Sequence, residues 1–538
     1  MSSQADLTPD GSTALIDTDY TVGQDNIQSR FGPFGLDIHN PVFFISGLTI
    51  VAFVFLTLAL REQAEAFFGW LRPAVTSTFD WFFLLAGNIF VVLSLVLMVS
   101  PLGKVRLGGM GAKPDYSYSG WFAMLFAAGM GIGLMFFGVS EPISHFSASV
   151  AEGAGAADSW APLAGAVGDA AEAQRLGMAA TIFHWGLHPW AIYAVVGLSL
   201  ALFAYNKGLP LSIRSIFYPI FGERVWGWTG HIIDTLAVFA TLFGLATSLG
   251  IGAEQANAGL NYLFDVPVGD VSKVLLIIGI TAIALVSVIA GLDAGVKRLS
   301  EINMVLAALL LFFVIAVGPT VAILTGFFGN LVAYAEYLPA LSNPFGREDA
   351  NFSQGWTSFY WAWWISWSPF VGTFIARVSR GRTVREFIFC VLLIPSLVSV
   401  LWMTTFGGTA VAMLNGGYQA IADAPLELKL FSMLGNLPLA GITSFVGIVL
   451  VIVFFVTSSD SGSLVIDTIT AGGKVDAPLP QRVFWATFEG LVAIALLLGG
   501  GLGALQAASV STGLPFAVVL LLGCYALVKG LLSEPRSR

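Results

Sequence analysis

The 538-residue chain has little charge, little cysteine and little histidine. Charged residues make up 11% of it, and it holds two cysteines and five histidines. Cys390 and Cys524 both lie in apolar runs and are too few for a disulfide framework. The histidines show no grouping with carboxylates or thiols that would hold a metal, and no nucleophile–base set stands out. This scarcity argues against an enzyme, and we expect no nucleic-acid partner.

Apolar residues dominate instead. They make up 56% of the chain, the mean hydropathy is +0.82, and single runs reach the roughly 20 residues that cross a bilayer. Twelve runs predict twelve transmembrane helices in an all-α polytopic membrane protein. The predicted helices begin near Pro41, Phe79, Trp121, Met178, Thr235, Val274, Ile302, Trp356, Phe387, Gly441, Val483 and Leu514.

Lysine and arginine are distributed unequally between alternate loops. If the N-terminus lies inside the cell, the inner segments hold 18 of the 24 basic residues and the outer segments hold 6. Positive residues are retained on the cytoplasmic side, so both termini are predicted to be cytoplasmic. Residues 1–40 carry six aspartates and only one basic residue, Arg30, which predicts an acidic, disordered tail.

Two of the predicted spans are interrupted. The third carries three glycines between Gly129 and Gly133, and the eighth carries Ser366-Trp367-Ser368-Pro369. A break at membrane depth frees backbone groups that only protein, water or a ligand can satisfy. Because the two spans lie five apart, spans 3 to 7 and 8 to 12 are predicted to be inverted repeats, an arrangement typical of secondary transporters.

These spans predict the organisation of the chain. Residues 41–120 form two accessory helices, 121–328 the first repeat, 356–529 the second repeat, and 530–538 a short tail. Residues 329–355 lie outside the membrane, and their apolar part, 331–344, either lies along the interface or packs as a loop. Residues 141–177 are predicted to form a mobile external cap.

Aromatic residues concentrate in two of the spans. Trp185, Trp190 and Tyr193 fall within one arc of an ideal helix, and residues 361–367 hold four tryptophans. If the two spans meet, they enclose a box of π faces without an acid. Such a box suits a quaternary ammonium group, whose diffuse charge donates no hydrogen bonds. Simple packing between helices is the alternative for each cluster taken alone.

Other motifs suggest polar ligands less specifically. The backbone of the glycine run could hold a carboxylate, although Gly129 and Gly133 also fit a close-packing face. Thr457 and Ser458 offer oxygen ligands for a small alkali cation, or bond back to their own helix. Glu489 lies within an apolar run and is expected to have a structural partner or an interfacial position. His184 and His188, spaced to share one helix face, are expected to be packing residues rather than a proton relay.

Three motifs carry a resemblance to the betaine/choline/carnitine transporter family, and the likeness extends from Pro41 to Lys529. They are the glycine run, His-Trp-Gly-Leu-His-Pro-Trp from His184, and Trp-Ala-Trp-Trp-Ile-Ser-Trp-Ser-Pro-Phe followed by Arg-Val-Ser-Arg-Gly-Arg from Arg377. The resemblance implies a trimer with the inverted-repeat fold of sodium symporters such as LeuT. It also implies a bacterial cytoplasmic membrane and a role in osmoprotection.

The resemblance also implies a set of site residues. The substrate would be bound by Trp185, Trp190, Tyr193, Trp363, Trp364, Trp367, Gly129, Met130, Gly131, Ile132 and Gly133. Sodium would be bound by Ala127, Met130, Phe454, Thr457 and Ser458. A second sodium site would use Thr241 and Phe370, but Leu245 replaces a threonine of the family there, which leaves two sodium ions in doubt.

The identity of residue 133 bears on the substrate. Choline-type members of the family place an aspartate where this chain has Gly133, and a zwitterion brings its own countercharge. We therefore expect a sodium-coupled symporter of glycine betaine, or of dimethylsulfoniopropionate or ectoine, working by alternating access. The alternative within transport is a sodium-independent or proton-coupled carrier or exchanger of choline or carnitine. A channel is disfavoured because no polar stripe crosses several spans.

Overall fold

The computed structural model describes residues 8–31, 34–290 and 293–536, which form one short hairpin and otherwise helices. The hairpin pairs β1 (Asn26–Phe31) with β2 (Phe34–His39) in antiparallel fashion. The helices of the first half are α1 (Val42–Ala59), α2 (Arg61–Val99), α3 (Tyr118–Gly129), α4 (Ile132–Val150), α5 (Ala170–Trp185), α6 (Leu187–Ala201), α7 (Tyr218–Phe221), α8 (Trp228–Phe264), α9 (Asp270–Ala290) and α10 (Asp293–Val317). Those of the second half are α11 (Thr320–Leu341), α12 (Ala350–Phe352), α13 (Ser358–Val378), α14 (Val384–Asn415), α15 (Ala420–Asp423), α16 (Lys429–Gly435), α17 (Ala440–Thr470), α18 (Leu479–Leu498) and α19 (Gly501–Leu532).

The all-α polytopic class is confirmed. Within the described ranges, eleven helical segments are long and apolar enough to cross a membrane, and the bent pair of α3 and α4 makes twelve. The total equals the prediction, but the members differ, because α11 meets this test and α13 does not. Helix α13 is almost entirely buried and packs against α2, α6, α8 and α19. A helix enclosed by other helices does not need the hydropathy of a lipid-facing one.

The interruption of the third span is confirmed. Helix α3 ends at Gly129, α4 begins at Ile132, and their axes differ by 63°. Met130 and Gly131 between them have extended backbone. The first amides of α4 and the last carbonyls of α3 therefore end inside the protein rather than at its surface.

The predicted interruption of the eighth span is wrong. Helix α13 continues through Pro369, which lies in its middle. Proline at this position frees the Ile365 carbonyl, and the Ser368 hydroxyl donates to that carbonyl at 2.7 Å. This local hydrogen bond compensates for the missing amide, so the helix does not break. The inverted repeats, which rested partly on paired breaks, stay a prediction.

A break that was not predicted occurs in the fourth span. Gly186 has non-helical backbone and separates α5 from α6. Pro189 lies in the first turn of α6, where its missing amide leaves no intrahelical bond unmade. The amide of Leu187 instead donates to the Tyr334 hydroxyl of α11 at 3.2 Å. The fourth span therefore contributes two short helices to the interior.

Most of the segment 331–344, which was predicted to be too short to cross, forms the C-terminal half of a longer helix that ends at Leu341. Helix α11 begins at Thr320, has 22 residues, and packs against α5 and α14. The prediction was wrong in length because the apolar pattern extends upstream past Gly326 and Gly329, which the helix accommodates.

The acidic N-terminal segment differs from the predicted disordered tail. Asp37 in β2 accepts from the Asn26 side chain at 2.7 Å and pairs with Lys474 Nζ at 2.5 Å. Upstream, the Ile16 amide donates to the Lys207 carbonyl at 3.0 Å. Burial lowers the pKa of His39 to about 3, with a further contribution from the nearby Arg214. Asp37 thus finds a partner hundreds of residues away, which composition does not reveal.

The predicted external cap 141–177 is also wrong at both ends. Helix α4 extends to Val150 and α5 begins at Ala170, so the connection is shorter. Glu141 lies inside α4 and is fully buried. Pro142, which follows this acid, also lies within the helix.

Helix α14 offers a test of the local structure that holds its first turn. Thr383 accepts from the Glu386 amide at 3.2 Å, and Glu386 accepts from the Thr383 amide at 3.3 Å, forming a capping box. We expect Thr383→Ala to lower the free energy of unfolding by about 1 kcal/mol, measured by thermal denaturation in detergent. Thr383→Ser retains the hydroxyl and should remain close to wild type. Equal losses in both variants would contradict the capping role.

Candidate functional site

A small cavity lies where the broken spans meet α13. Its volume is about 60 Å³, well below the roughly 300 Å³ or more of pockets that hold drug-sized ligands. The break between α3 and α4 forms one side, α5 and α6 another, and α13 a third. The lining residues are Ala128, Gly129, Met130, Gly131, Ile132, Gly133, Leu134, Trp185, Pro189, Trp190, Tyr193, Ser248, Trp363, Trp364, Trp367, Val371 and Ser399.

The structure places every residue of the predicted substrate set in this one lining. The remaining lining residues were missed by sequence reasoning. Pro189 belonged to a recognised motif and could have been found there. Ser248 of α8 and Ser399 of α14 carried no signal, because a single serine in an apolar helix does not reveal which face it occupies.

The aromatic rings form adjoining walls. Trp185 and Trp364 have centroids 4.9 Å apart with planes at 72°, and Tyr193 lies 6.3 Å from Trp364 at 75°. Trp190 meets Tyr193 at 5.2 Å and 72°. Rings at near-right angles present their faces and edges to a common space, whereas parallel stacked rings would fill that space. Trp363 stacks behind Trp364 at 4.9 Å and 17°.

Three indole N–H groups of the box donate to protein acceptors. Trp364 donates to the His184 carbonyl at 2.9 Å, and Trp367 donates to the Gly244 carbonyl at 3.0 Å. Trp363 donates to the Ser248 hydroxyl at 3.1 Å. These bonds hold each ring in place, so the π faces are what the indoles offer to a ligand.

The glycine run divides into two roles. A Cβ at Gly133 would lie 2.6 Å from Trp185 Cη2 and 3.1 Å from Trp363 Cη2, whereas one at Gly129 would lie 3.4 Å from Pro395 and Trp190 atoms. Both positions are close-packed, as the alternative reading expected. A Cβ at Gly131 would meet no heavy atom within 4 Å. Gly131 is therefore not required for packing.

The N-terminus of α4 points its free amides at the cavity region. Ile132, Gly133 and Leu134 occupy the first turn of this 19-residue helix and line the cavity. The first-turn amides of a helix have no intrahelical acceptor and carry the positive end of the helix dipole. This side of the cavity therefore favours an anionic group, while the aromatic side favours a cation.

An acid lies behind the box, where none was predicted. Glu141 is fully buried, and its Oε2 accepts from Trp185 Nε1 at 2.8 Å and from the Tyr360 hydroxyl at 2.6 Å. Its Oε1 lies 3.0 Å from His145 Nε2 and 2.5 Å from His184 Nδ1. No acid lines the cavity itself. The expectation that the histidines have no carboxylate partner was wrong, because α4 and α5 bring these three residues within 4.8 Å.

The predicted sodium residues occupy two places that pack together. Ala127 lies in the last turn of α3 and Met130 in the break that follows it. Phe454, Thr457 and Ser458 lie on α17, which packs against α4. The Thr457 hydroxyl donates to its own helix, at 3.0 Å to the Val453 carbonyl and 3.3 Å to that of Phe454. Ligation of sodium by these residues stays a prediction.

The doubtful second sodium site rests on fewer groups. Thr241 donates to the Ala237 carbonyl at 2.7 Å, and the Phe370 ring lies 5.4 Å from that of Trp367. Leu245, one turn beyond Thr241, is fully buried and packs at Gly462 of α17. This position therefore holds an aliphatic contact between helices.

His188 and Glu489 have partners apart from the cavity. His188 Nε2 lies 2.9 Å from Asn88 Oδ1, and the ring stacks on Trp361 at 5.2 Å. Gly186 breaks the helix between His188 and His184, and both rings lie against Trp361. Glu489 is fully buried and accepts from the Ser459 hydroxyl at 3.0 Å, so it has the structural partner that was expected.

Comparison with known proteins gives consistent matches over nearly the whole chain. The family model described as the betaine/carnitine/choline family transporter matches residues 41–536. A glycine betaine/proline/choline transporter of Vibrio parahaemolyticus serotype O3:K6 is 68% identical and aligns over 98% of this chain and 96% of its own length. Glycine betaine transporter 1 of that organism is 54% identical, over 97% and 98%. Its glycine betaine/proline/choline/ectoine transporter is 51% identical, over 96% and 91%. The predicted class, a transporter and not an enzyme, is confirmed.

The close approach at residue 133 generates a testable prediction. Gly133→Ala places a methyl group against the Trp185 ring, and we expect this overpacking to lower the free energy of unfolding by about 1 to 3 kcal/mol. The readouts are the thermal midpoint and the tryptophan emission in detergent. Gly131→Ala is the matched control, since its φ of −175° suits any residue and open space surrounds it. A Gly133→Ala protein as stable as wild type would contradict the contact.

Proposed function

Because the chain belongs to the betaine/carnitine/choline family of transporters, we propose that it is a sodium-coupled symporter that imports glycine betaine. The single observation that supports glycine betaine as the substrate is the polarity of the cavity. Aromatic faces line one side, the amino end of α4 lines another, and no acid lies in the lining. A quaternary ammonium with its own carboxylate matches both sides.

The aromatic side would bind the trimethylammonium group. Trp185, Tyr193 and Trp364 surround a common space, and each face contributes about 1 to 2 kcal/mol to a desolvated cation. Three such faces correspond to a dissociation constant between millimolar and tens of micromolar. An affinity in this range permits both capture and release.

The backbone side would bind the carboxylate. The free amides of the first turn of α4 supply donors without a competing side chain at Gly131 or Gly133. An aspartate at residue 133 would place its Cβ against Trp185, so the countercharge that a choline cation would favour has no room there. The named relatives also transport proline, choline or ectoine, and these solutes belong in the first competition panel.

Sodium is the proposed coupling ion. A zwitterion has no net charge, so the membrane potential alone cannot concentrate it, whereas each cotransported cation adds about 2.3 kcal/mol per 100 mV. The residues present fit a sodium site, because Met130 has extended backbone that turns its carbonyl out of the helical ladder. The Thr457 hydroxyl, although donating to its helix, retains its oxygen lone pairs for a cation.

The burial of the site supports a mechanism of alternating access. Trp185, Trp190, Tyr193, Trp363 and Trp364 are each at most 8% exposed, so a solute reaches them only after helices move. We place the protein in the bacterial cytoplasmic membrane with both termini inside, and propose a homotrimer that serves osmoprotection. The basic-residue asymmetry and the family resemblance support these assignments.

The direct test is transport by the purified protein in proteoliposomes. We expect uptake of radiolabelled glycine betaine to depend on an inward sodium gradient and to be inhibited strongly by unlabelled betaine. Choline, carnitine, proline, ectoine and dimethylsulfoniopropionate serve as competitors. Uptake that follows a proton gradient, or that exchanges choline or carnitine without sodium, would favour the alternative carrier. Uptake of none of these solutes would contradict the proposal.

The aromatic box has its own test in Trp367. Trp367→Leu removes a ring of the cavity, and we expect the KM for betaine to rise at least about tenfold, equivalent to about 1.4 kcal/mol. Trp361→Leu is the matched control, because Trp361 belongs to the same run but packs on His188 outside the cavity. It should lower stability while leaving KM near wild type. The same KM in both variants would assign the run to packing.

The sodium site is tested on α17. We expect Thr457→Ala to raise the sodium concentration for half-maximal uptake about tenfold. This is the effect of losing one ligand that contributes about 1.4 kcal/mol to the binding free energy of sodium. Thr468→Ala removes a hydroxyl that donates to its own backbone at 2.8 Å on the same helix, and should leave sodium dependence unchanged. Identical sodium curves for wild type and Thr457→Ala would exclude this ligand.

A further inference from the structure

Among the described residues, Glu141 is the one acid whose carboxylate bonds to the aromatic box. It does not line the cavity, but Trp185 and Tyr360 both donate to its Oε2. Trp185 in turn lies 4.9 Å from Trp364 and faces the cavity. The indole therefore separates the carboxylate from the space where a cation would bind, with its N–H edge on the acid.

The hydrogen bonds indicate that Glu141 is ionised. An indole nitrogen only donates, and an ionised carboxylate accepts on both oxygens with about four sites. Trp185 and Tyr360 donate to Oε2, and two imidazole nitrogens, each a donor in one tautomer, lie at hydrogen-bond distance from Oε1. A protonated acid would have to fit its own hydrogen among them.

The imidazole tautomers are consistent with this charge. His184 Nδ1 faces Glu141, and its Nε2 lies 2.9 Å from the Thr357 hydroxyl, which can donate to it. His145 Nε2 faces Glu141, while its Nδ1 has no partner among the described residues. An unpaired acceptor is less costly to bury than an unpaired charged donor. His145 is thus assigned as neutral, donating through Nε2.

We propose that Glu141 is a positioning and specificity-determining residue that makes the box selective for a cationic head group. Its carboxylate holds the Trp185 indole in place and puts a negative charge behind it. An anion at the N–H edge of an indole makes its face more negative, which strengthens attraction to a cation. The inference rests on the proposed betaine transport and assigns the discrimination between charged and neutral ligands to a residue outside the cavity.

A metal site is the competing use of these residues. Glu141, His145 and His184 lie close enough to share an ion, but each facing nitrogen already lies at hydrogen-bond distance from Oε1. Trp185 and Tyr360 occupy the other oxygen. The Glu141 carboxylate thus has hydrogen-bond partners at both oxygens without a metal. Its bond to Trp185, a residue of the box, connects the carboxylate to ligand selectivity.

The experiment compares two ligands of the same shape. Glycine betaine and 3,3-dimethylbutyrate both carry a carboxylate and three methyl groups, but the second has carbon in place of the charged nitrogen. Binding of each to the purified full-length protein is measured by intrinsic tryptophan fluorescence, and betaine uptake gives KM and the maximal rate. The variants are Glu141→Gln and Glu141→Asp.

We expect Glu141→Gln to weaken betaine binding about tenfold, equivalent to about 1.4 kcal/mol, while dimethylbutyrate binding changes less than about twofold. The KM for betaine should rise with it. Glu141→Asp keeps the charge and should bind betaine more tightly than Glu141→Gln. Glu489→Gln is the matched control, since Glu489 is equally buried in a membrane helix but bonds to Ser459. It should leave betaine affinity unchanged.

The outcomes separate this inference from the proposed function. Wild-type protein that binds no betaine would overturn both. Wild-type protein that binds betaine, with Glu141→Gln weakening both ligands equally, would make Glu141 a packing residue only. If dimethylbutyrate binds too weakly to measure, the order of the two variants decides. If Glu141→Asp then binds betaine no more tightly than Glu141→Gln, the proposed role of the charge is overturned.

Discussion

The contact between Gly133 and Trp185 is the constraint on which the site depends. Only a residue without a side chain lets the indole lie against the first turn of α4, where a Cβ would be 2.6 Å from the ring. Two turns further along the same helix, Glu141 accepts the indole N–H. One helix therefore holds Trp185 at both edges, and the positions of Trp364 and Tyr193 against it follow from that placement.

The indoles of the site make two kinds of interaction: N–H groups bond to the protein, and π faces line the cavity. The indole N–H groups of Trp185, Trp363, Trp364 and Trp367 donate to backbone carbonyls, to Ser248 and to Glu141, so these four donors are satisfied by the protein itself. The π faces remain for a diffuse cation. Across the cavity, the first turn of α4 supplies free backbone amides, and no side chain at Gly131 or Gly133 competes for them. The same chain break thus creates both the free donors for an anion and the approach that keeps Trp185 in place.

Sequence reasoning succeeded where chemistry is local and failed where it depends on partners. Trp190, Tyr193 and Trp364 were identified because tryptophan-rich motifs in apolar spans are distinctive. The break at Met130 was predicted because three nearby glycines weaken any helix. The break predicted at Pro369 does not occur, since the Ser368 hydroxyl donates to the carbonyl that the proline leaves without an amide. Gly186 and Glu141 were missed, because a lone glycine and an acid beside a proline have no unique local meaning.

The sequence by itself determined the class of protein, the number of apolar spans and most residues of the cavity, because hydropathy and motif composition are properties of short segments. Tertiary structure alone decided which rings face each other, that the fourth span breaks, and that Asp37 pairs with Lys474. It also placed a buried carboxylate behind a box that seemed to lack one. That decision required α4 and α5 to pack together, since Glu141 and Trp185 are 44 positions apart and only their contact gives the acid its role.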